Sequence, residues 1–306
     1  MNGVLTIKKK SLLEFIFYSN YFYGICAVAL SVEASLQQCF PLNGVWYFGL
    51  IFITTVLYYA YPYIRKSSTG NNPRTNWYTK HYNLMRWNQA VITFILLVAS
   101  IFFLHHYQEE LLKVSPLQWF LLFIFPAIAA AYYGINLLSR KFNLRKIGWL
   151  KPFIIGFAWA GLVTVYPVLF YDIISRTDYD FNWIGGLLFL KNFMFITVLC
   201  IMFDIKDYAA DHVCRVRTFV VKLGLRKTIF YILMPLTVIG LELFIYYAYN
   251  HRFHGMKVLL NVIPFVLMGM VAYSLRKRRS IMYYLVIVDG LMFIKAVCGT
   301  IAIKYF

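Results

Sequence analysis

Three aspartates fall within eight residues in the stretch Asp204-Ile-Lys-Asp207-Tyr-Ala-Ala-Asp211. Spacings of three and four place their carboxylates on one face of a helix, where they repel one another unless a cation sits among them. A stripe of this kind suits Mg²⁺, which is commonly held by one or two carboxylates together with substrate phosphates. The next residues, His212-Val-Cys-Arg215-Val-Arg217-Thr-Phe-Val-Val-Lys222-Leu-Gly224, supply basic groups for the remaining phosphate charge. The bland alternative pairs Asp211 with Arg215 one turn on and Asp207 with another basic loop, which makes the stripe a solvated helix end. That alternative gives no reason for three anions at a helix C-terminus, where the macrodipole disfavours them. Asp204, Asp207 and Asp211 are therefore the candidate catalytic and metal-ligating residues.

Other polar residues carry weaker signals. His105-His106 and His251-x-x-His254 lack an apparent third ligand. The five cysteines (Cys26, Cys39, Cys200, Cys214, Cys298) lie far apart, which indicates neither a zinc site nor a disulfide framework. Lys191, Glu242, Asp289 and Lys295 interrupt long apolar runs, and their cost in lipid turns them toward a protein interior. Six acidic residues, Glu33, Glu109, Glu110, Asp172, Asp178 and Asp180, fall to segments on the outer side.

The elements that must position these groups are set by composition. Of 306 residues, 61% are hydrophobic and 14% charged, and the mean hydropathy is +0.65. Soluble domains carry about 45–50% apolar and about 25% charged residues, so a soluble enzyme is excluded, as is a disordered or collagen-like chain. Apolar runs fall at Leu12–Val32, Val45–Ile64, Trp87–Leu104, Pro116–Leu138, Trp149–Tyr171, Trp183–Phe203, Ile229–Tyr249, Val258–Leu275 and Ile281–Ile303. Each is long enough to cross a bilayer, and only helices satisfy backbone groups within one segment in lipid. The expected fold is an all-α membrane protein of nine transmembrane helices in a single domain, 1–306. The first run follows Lys8, Lys9 and Lys10 and reads as an uncleaved span rather than a signal peptide.

With the N-terminus inside, 23 of the 30 Lys and Arg residues fall on inner segments and 5 on outer ones. That asymmetry is the positive-inside pattern. It predicts a multi-pass protein of the cytoplasmic membrane, with its N-terminus cytoplasmic and its C-terminus outside. The net charge of +18 is then a property of loops facing membrane lipids or an anionic substrate, and no nucleic-acid partner is expected.

Nine helices with an inner loop reading DIKDYAADHVCRVRTFVVKLG resemble the UbiA superfamily of intramembrane prenyltransferases. That family's second aspartate motif follows its sixth helix, with an Arg-Thr pair and a Gly downstream. Asp204, Asp207, Asp211, Arg217, Thr218 and Gly224 match it in order. The stretch from Tyr132, with Leu144, Arg145, Lys151 and Trp159, is similar to a divergent bacterial branch. The resemblance implies a bundle around a central cavity, Mg²⁺ on the three aspartates, and an isoprenyl diphosphate as prenyl donor to an aromatic or lipid acceptor. Arg145, Arg217 and Lys222 would neutralise the diphosphate. The family's first motif, Asn-x-x-x-Asp-x-x-x-Asp, has no counterpart here. The stretch from Tyr58 to Asn83 contains no acidic residue and offers Arg65, Arg74, Lys80 and His81 instead. Arg65 and Arg74 are therefore added as candidate diphosphate ligands. A terpene cyclase of the same fold, and a non-catalytic lipid-binding or transporting descendant, are the alternatives.

Overall fold

Every regular element among the described residues is a helix. The computed structural model describes residues 12–65, 72–132, 148–175, 183–213, 216–250 and 252–306. The helices are α1 (Leu12–Tyr18), α2 (Tyr21–Gln37), α3 (Val45–Arg65), α4 (Pro73–Lys80), α5 (Tyr82–His106), α6 (Gln108–Leu112), α7 (Pro116–Tyr132), α8 (Lys151–Ser175), α9 (Trp183–Val213), α10 (Phe219–Leu223), α11 (Leu225–Asn250), α12 (Gly255–Ser274) and α13 (Ile281–Tyr305). Seven of them (α3, α5, α8, α9, α11, α12 and α13) are long and apolar enough to cross a membrane, and the bent pair α1–α2 raises the number to eight. The chain is a multi-pass helical membrane protein.

The described part of each of the nine apolar runs is helical, and one of them differs from a simple span. Of the run expected over Pro116–Leu138, residues 116–132 form α7, and 133–138 lie outside the described residues. The first run bends by 65° between Tyr18 and Tyr21. Asn20 sits at that bend with φ of 72°, the left-handed conformation that Asn tolerates better than most residues and that ends a helix.

The described residues fall into two compact units, one made of Met1–Ala29 with Asn43–Lys113 and the other of Leu30–Leu42 with Val114–Phe306. In the first, α3 packs against α4 and α5. Of the residues of α5 only Met85 and Ile92 are buried, and Trp87, Phe94 and Phe102 are all exposed, as suits a helix facing acyl chains. The bend at Asn20 is fixed by a polar knot. Asn20 Nδ2 donates to the Tyr78 hydroxyl at 3.1 Å, and Arg74 Nη2 donates to Asn20 Oδ1. The same guanidinium donates to the Tyr18 carbonyl from Nε and Nη2, at 3.2 and 3.0 Å, and lies 4.4 Å from the centre of the Tyr63 ring.

In the second unit α9 is the central helix, packed on α8 and α11, while α12 lies against α11 and α13. Phe195, Ile201 and Met202 of α9, Met268 of α12 and Leu285 and Leu291 of α13 are fully buried. Three helices contain a wide π turn: Gly161–Val165 in α8, Ile229–Leu233 in α11 and Tyr284–Val288 in α13. The turn in α8 is tied by its neighbours, since Gln38 Nε2 donates to the Thr164 carbonyl at 3.1 Å and Asn192 Nδ2 to Thr164 Oγ1 at 2.8 Å.

Two acidic residues expected in outer segments are inside the protein. Asp172 is buried on α8. Glu33 is completely buried, because α2 continues past Val32 to Gln37 and lysines of two other helices neutralise the carboxylate. Lys295 Nζ of α13 lies 2.6 Å from Glu33 Oε2, and Lys191 Nζ of α9 lies 3.9 Å from Oε1. A Cβ at Gly299 would collide with this carboxylate, so the glycine makes room for it. Lys191, Lys295 and Asp289 thus turn inward as their cost in lipid requires, whereas Glu242 is exposed on α11.

Candidate functional site

The carboxylate stripe forms where the N-terminus of α8, the C-terminal end of α9 and the 216–224 segment meet. Lys151 opens α8, followed by Pro152 in the first turn, where its missing N–H is harmless. The turn before it approaches the backbone of Arg217 and Thr218 so closely that a side chain at Gly148 would clash with both. Val216 N donates to the Asp211 carbonyl at 2.9 Å, which folds the chain back as α9 ends. Thr218 Oγ1 then accepts from Val221 N as the N-cap of α10. Gly224 ends α10 at φ of 81°, a conformation that strains any residue with a Cβ.

The three aspartates have distinct surroundings. Asp204 is fully buried, and its Oδ1 accepts from Lys151 Nζ at 2.8 Å. Its Oδ2 is buried with no hydrogen-bond partner among the described residues. Asp207 is 40% exposed and its Oδ1 lies 3.3 Å from Lys206 Nζ. Asp211 is half-buried. Arg217 and Lys222 are exposed on the segment that follows. One end of the second unit therefore carries Asp204, Asp207, Asp211, Lys151, Arg217 and Lys222. Among the described residues no three His, Cys, Asp or Glu side chains converge on a common point as a ready-made metal cage.

The donor set nevertheless suits a hard cation. It offers carboxylate oxygens, including the orphaned Asp204 Oδ2, and Mg²⁺ normally completes its shell with water and substrate phosphate rather than with protein groups alone.

Arg145 lies outside the described residues, as does the side chain of Arg65, whose backbone closes α3. Arg74 belongs to the polar knot of the first unit, buried with its guanidinium spent on Tyr18, Asn20 and Tyr63.

Sequence reasoning did not single out the Asp204–Lys151 pair. Lys151 sits 53 positions away and stood out in the sequence only through its spacing with Leu144, Arg145 and Trp159. Its place immediately before Pro152 and a run of apolar residues was the signal that it opens a helix. The chain matches no protein-family model, no curated protein and no solved structure.

Proposed function

We propose that this chain is an intramembrane prenyltransferase-like protein with the architecture that the UbiA resemblance implies. In this reading nine spans surround a central cavity, the N-terminus is cytoplasmic, and the C-terminus is outside the cytoplasmic membrane. The observation that carries it is the 2.8 Å pair of Lys151 with Asp204 at the head of a carboxylate stripe. Groups for a metal and groups for an anion share one end of α9.

One or two carboxylates of the Asp204, Asp207 and Asp211 stripe would hold Mg²⁺ together with an isoprenyl diphosphate and water. The metal, when bound, supplies charge stabilisation to the departing pyrophosphate. Lys151, Arg217 and Lys222 bind the remaining oxygens, with Arg145 and Arg65 as the further cations that the resemblance nominates. Positive groups already in place favour the developing charge on pyrophosphate over the intact ester. As the bond from C1 to the bridging oxygen breaks, the acceptor bonds to C1 and gives up a proton. Aromatic faces shelter the positive charge that builds on the allylic carbons.

A second reading is favoured by the missing first motif and by the lack of a three-ligand cage among the described residues. It makes the chain a non-catalytic lipid-binding or transporting descendant. Pyrophosphate release from isolated membranes given isoprenyl diphosphates separates the two readings, and dependence of that release on added acceptor separates a transferase from a cyclase. Asp207→Asn and Asp211→Asn remove charge with little change of shape. Each is expected to lower Mg²⁺-dependent turnover by about a hundredfold or more. Full turnover in both would overturn the metal assignment.

A further inference from the structure

A cavity of about 420 Å³ opens in the second unit, far from the aspartates. It lies at the Trp183 end of α9, between that helix, the end of α2, α11 and α12. Lys191 in its wall and Asp204 are separated along α9 by about 20 Å of helix rise. The volume falls within the usual range for small-molecule sites.

Most of the wall is apolar, with Leu187, Met194, Leu243 and Phe265 among its residues. Among the described residues, the charged groups of the wall are two lysines, Lys191 and Lys257. Lys257 Nζ lies 4.5 Å from the centre of the Phe253 ring. Lys191 is 15% exposed, and its ammonium donates to Asn261 Oδ1 at 3.3 Å and to Gln37 Oε1 at 3.5 Å.

Behind Lys191 stands the carboxylate of Glu33, whose oxygens are already engaged. Lys295 lies 2.6 Å from Oε2, and Gln37 Nε2 donates to Oε1 at 2.7 Å. One carboxylate thus serves two ammonium groups. Lys295 takes the short contact, leaving Lys191 at 3.9 Å and, among the described residues, one positive charge in excess on the cavity side. A buried excess charge is costly unless an opposite charge meets it.

We propose that this cavity binds a single-chain anionic amphiphile, its carboxylate or phosphate-monoester headgroup on the Lys191 ammonium and its chain along the apolar wall. The headgroup supplies the counter-charge that Glu33 cannot provide to both lysines. The site is separate from the carboxylate stripe and does not depend on the reaction proposed there.

The test uses the purified full-length protein in neutral detergent at neutral pH, with binding read by native mass spectrometry and by thermal shift. The probes are oleate, oleyl phosphate, uncharged oleyl alcohol and inorganic phosphate. Oleate, oleyl phosphate or both are expected to bind at least about tenfold more tightly than the alcohol, and inorganic phosphate not to compete at equal concentration. Whichever of the two charged lipids binds more tightly identifies the headgroup.

Lys191→Met should erase the preference for the charged probes. It leaves Glu33 paired one-to-one with Lys295, so the variant keeps a balanced core and folds. Lys191→Arg should retain the preference, and Leu187→Trp, which fills the cavity, should weaken every chain-bearing probe. Equal binding of oleyl alcohol, full competition by inorganic phosphate, binding by none of the probes, or an unchanged preference in Lys191→Met would each overturn the proposal.

Discussion

Lys295 Nζ lies 2.6 Å from Glu33 Oε2 across 262 positions of sequence, with both side chains buried. The pair joins α2 to α13 inside the second unit, and Lys191 approaches the same carboxylate from α9. Removing one member of a buried ion pair costs about 3–5 kcal/mol, because the other charge is left unmatched. Glu33→Gln strands two ammonium groups and is expected to lower thermal stability the most. Lys295→Met leaves one cation facing one anion at longer range and should cost less, and Lys191→Met least of all. Unfolding of the three variants in one detergent checks that order.

Arg74 is expected to matter for folding. Arg74→Ala strips two hydrogen bonds from the Tyr18 carbonyl, one from Asn20, and the contact with Tyr63. A loss of about 2–4 kcal/mol follows from unsatisfied buried groups and the cation–π contact. Arg74→Lys should recover little, since a single ammonium cannot reproduce the planar fork that serves Tyr18 and Asn20 together. Thermal unfolding of both variants is the measurement.

Asp204 and Asp207 should separate stability from chemistry. Asp204→Asn deprives half-buried Lys151 of its carboxylate and is expected to destabilise the protein by about 1–3 kcal/mol. Asp207 is 40% exposed, so Asp207→Asn should leave the unfolding temperature near that of the parent while lowering Mg²⁺-dependent turnover. Parallel unfolding and pyrophosphate-release measurements on the two variants test the division.

Tyr78 gives the first unit an alkaline limit. Burial pushes its phenol up from an ordinary value near 10 to about 12, against a smaller opposing effect of Arg74. The folded protein therefore keeps the phenol neutral where the unfolded chain would ionise it. The stability is fully present below pH 10 and is lost as the pH rises from about 10 through about 12, by up to about 3 kcal/mol. Tyr78→Phe should flatten that loss, at a cost near 1 kcal/mol for the hydrogen bond from Asn20. Unfolding followed from pH 8 to pH 12 in parent and variant checks the sign.

The orientation proposed from the basic residues is open to labelling. Cys39 is exposed and lies on the expected outer side, whereas Cys214 lies on the expected inner side. A membrane-impermeant maleimide should modify Cys39 in intact cells and Cys214 only after permeabilisation. The reverse pattern would invert the topology.

The sequence by itself determined that this is a multi-pass helical membrane protein, because runs of Phe, Leu, Ile and Val are a local property and lipid leaves the backbone no alternative to a helix. It also fixed the stripe from Asp204 to Asp211, since spacings of three and four within one helix need no knowledge of the rest of the chain. Thr218 and Gly224 entered the sequence reading only as matches to the family's motif, and the structure showed them to be the N-cap and the positive-φ end of α10. The tertiary structure decided which charge meets which. Glu33 reads in the sequence as a residue just past the end of a span, and only helices from elsewhere in the chain bring Lys191 and Lys295 to it. Arg74 reads as one loop cation among several, and only the bend at Asn20 gives its guanidinium a carbonyl, an amide and a ring to hold. Lys151 likewise acquires Asp204 through the packing of α8 on α9. A buried charge is stable only beside its partner, and the partner of a residue in one helix is set by the packing of another, which no local pattern records.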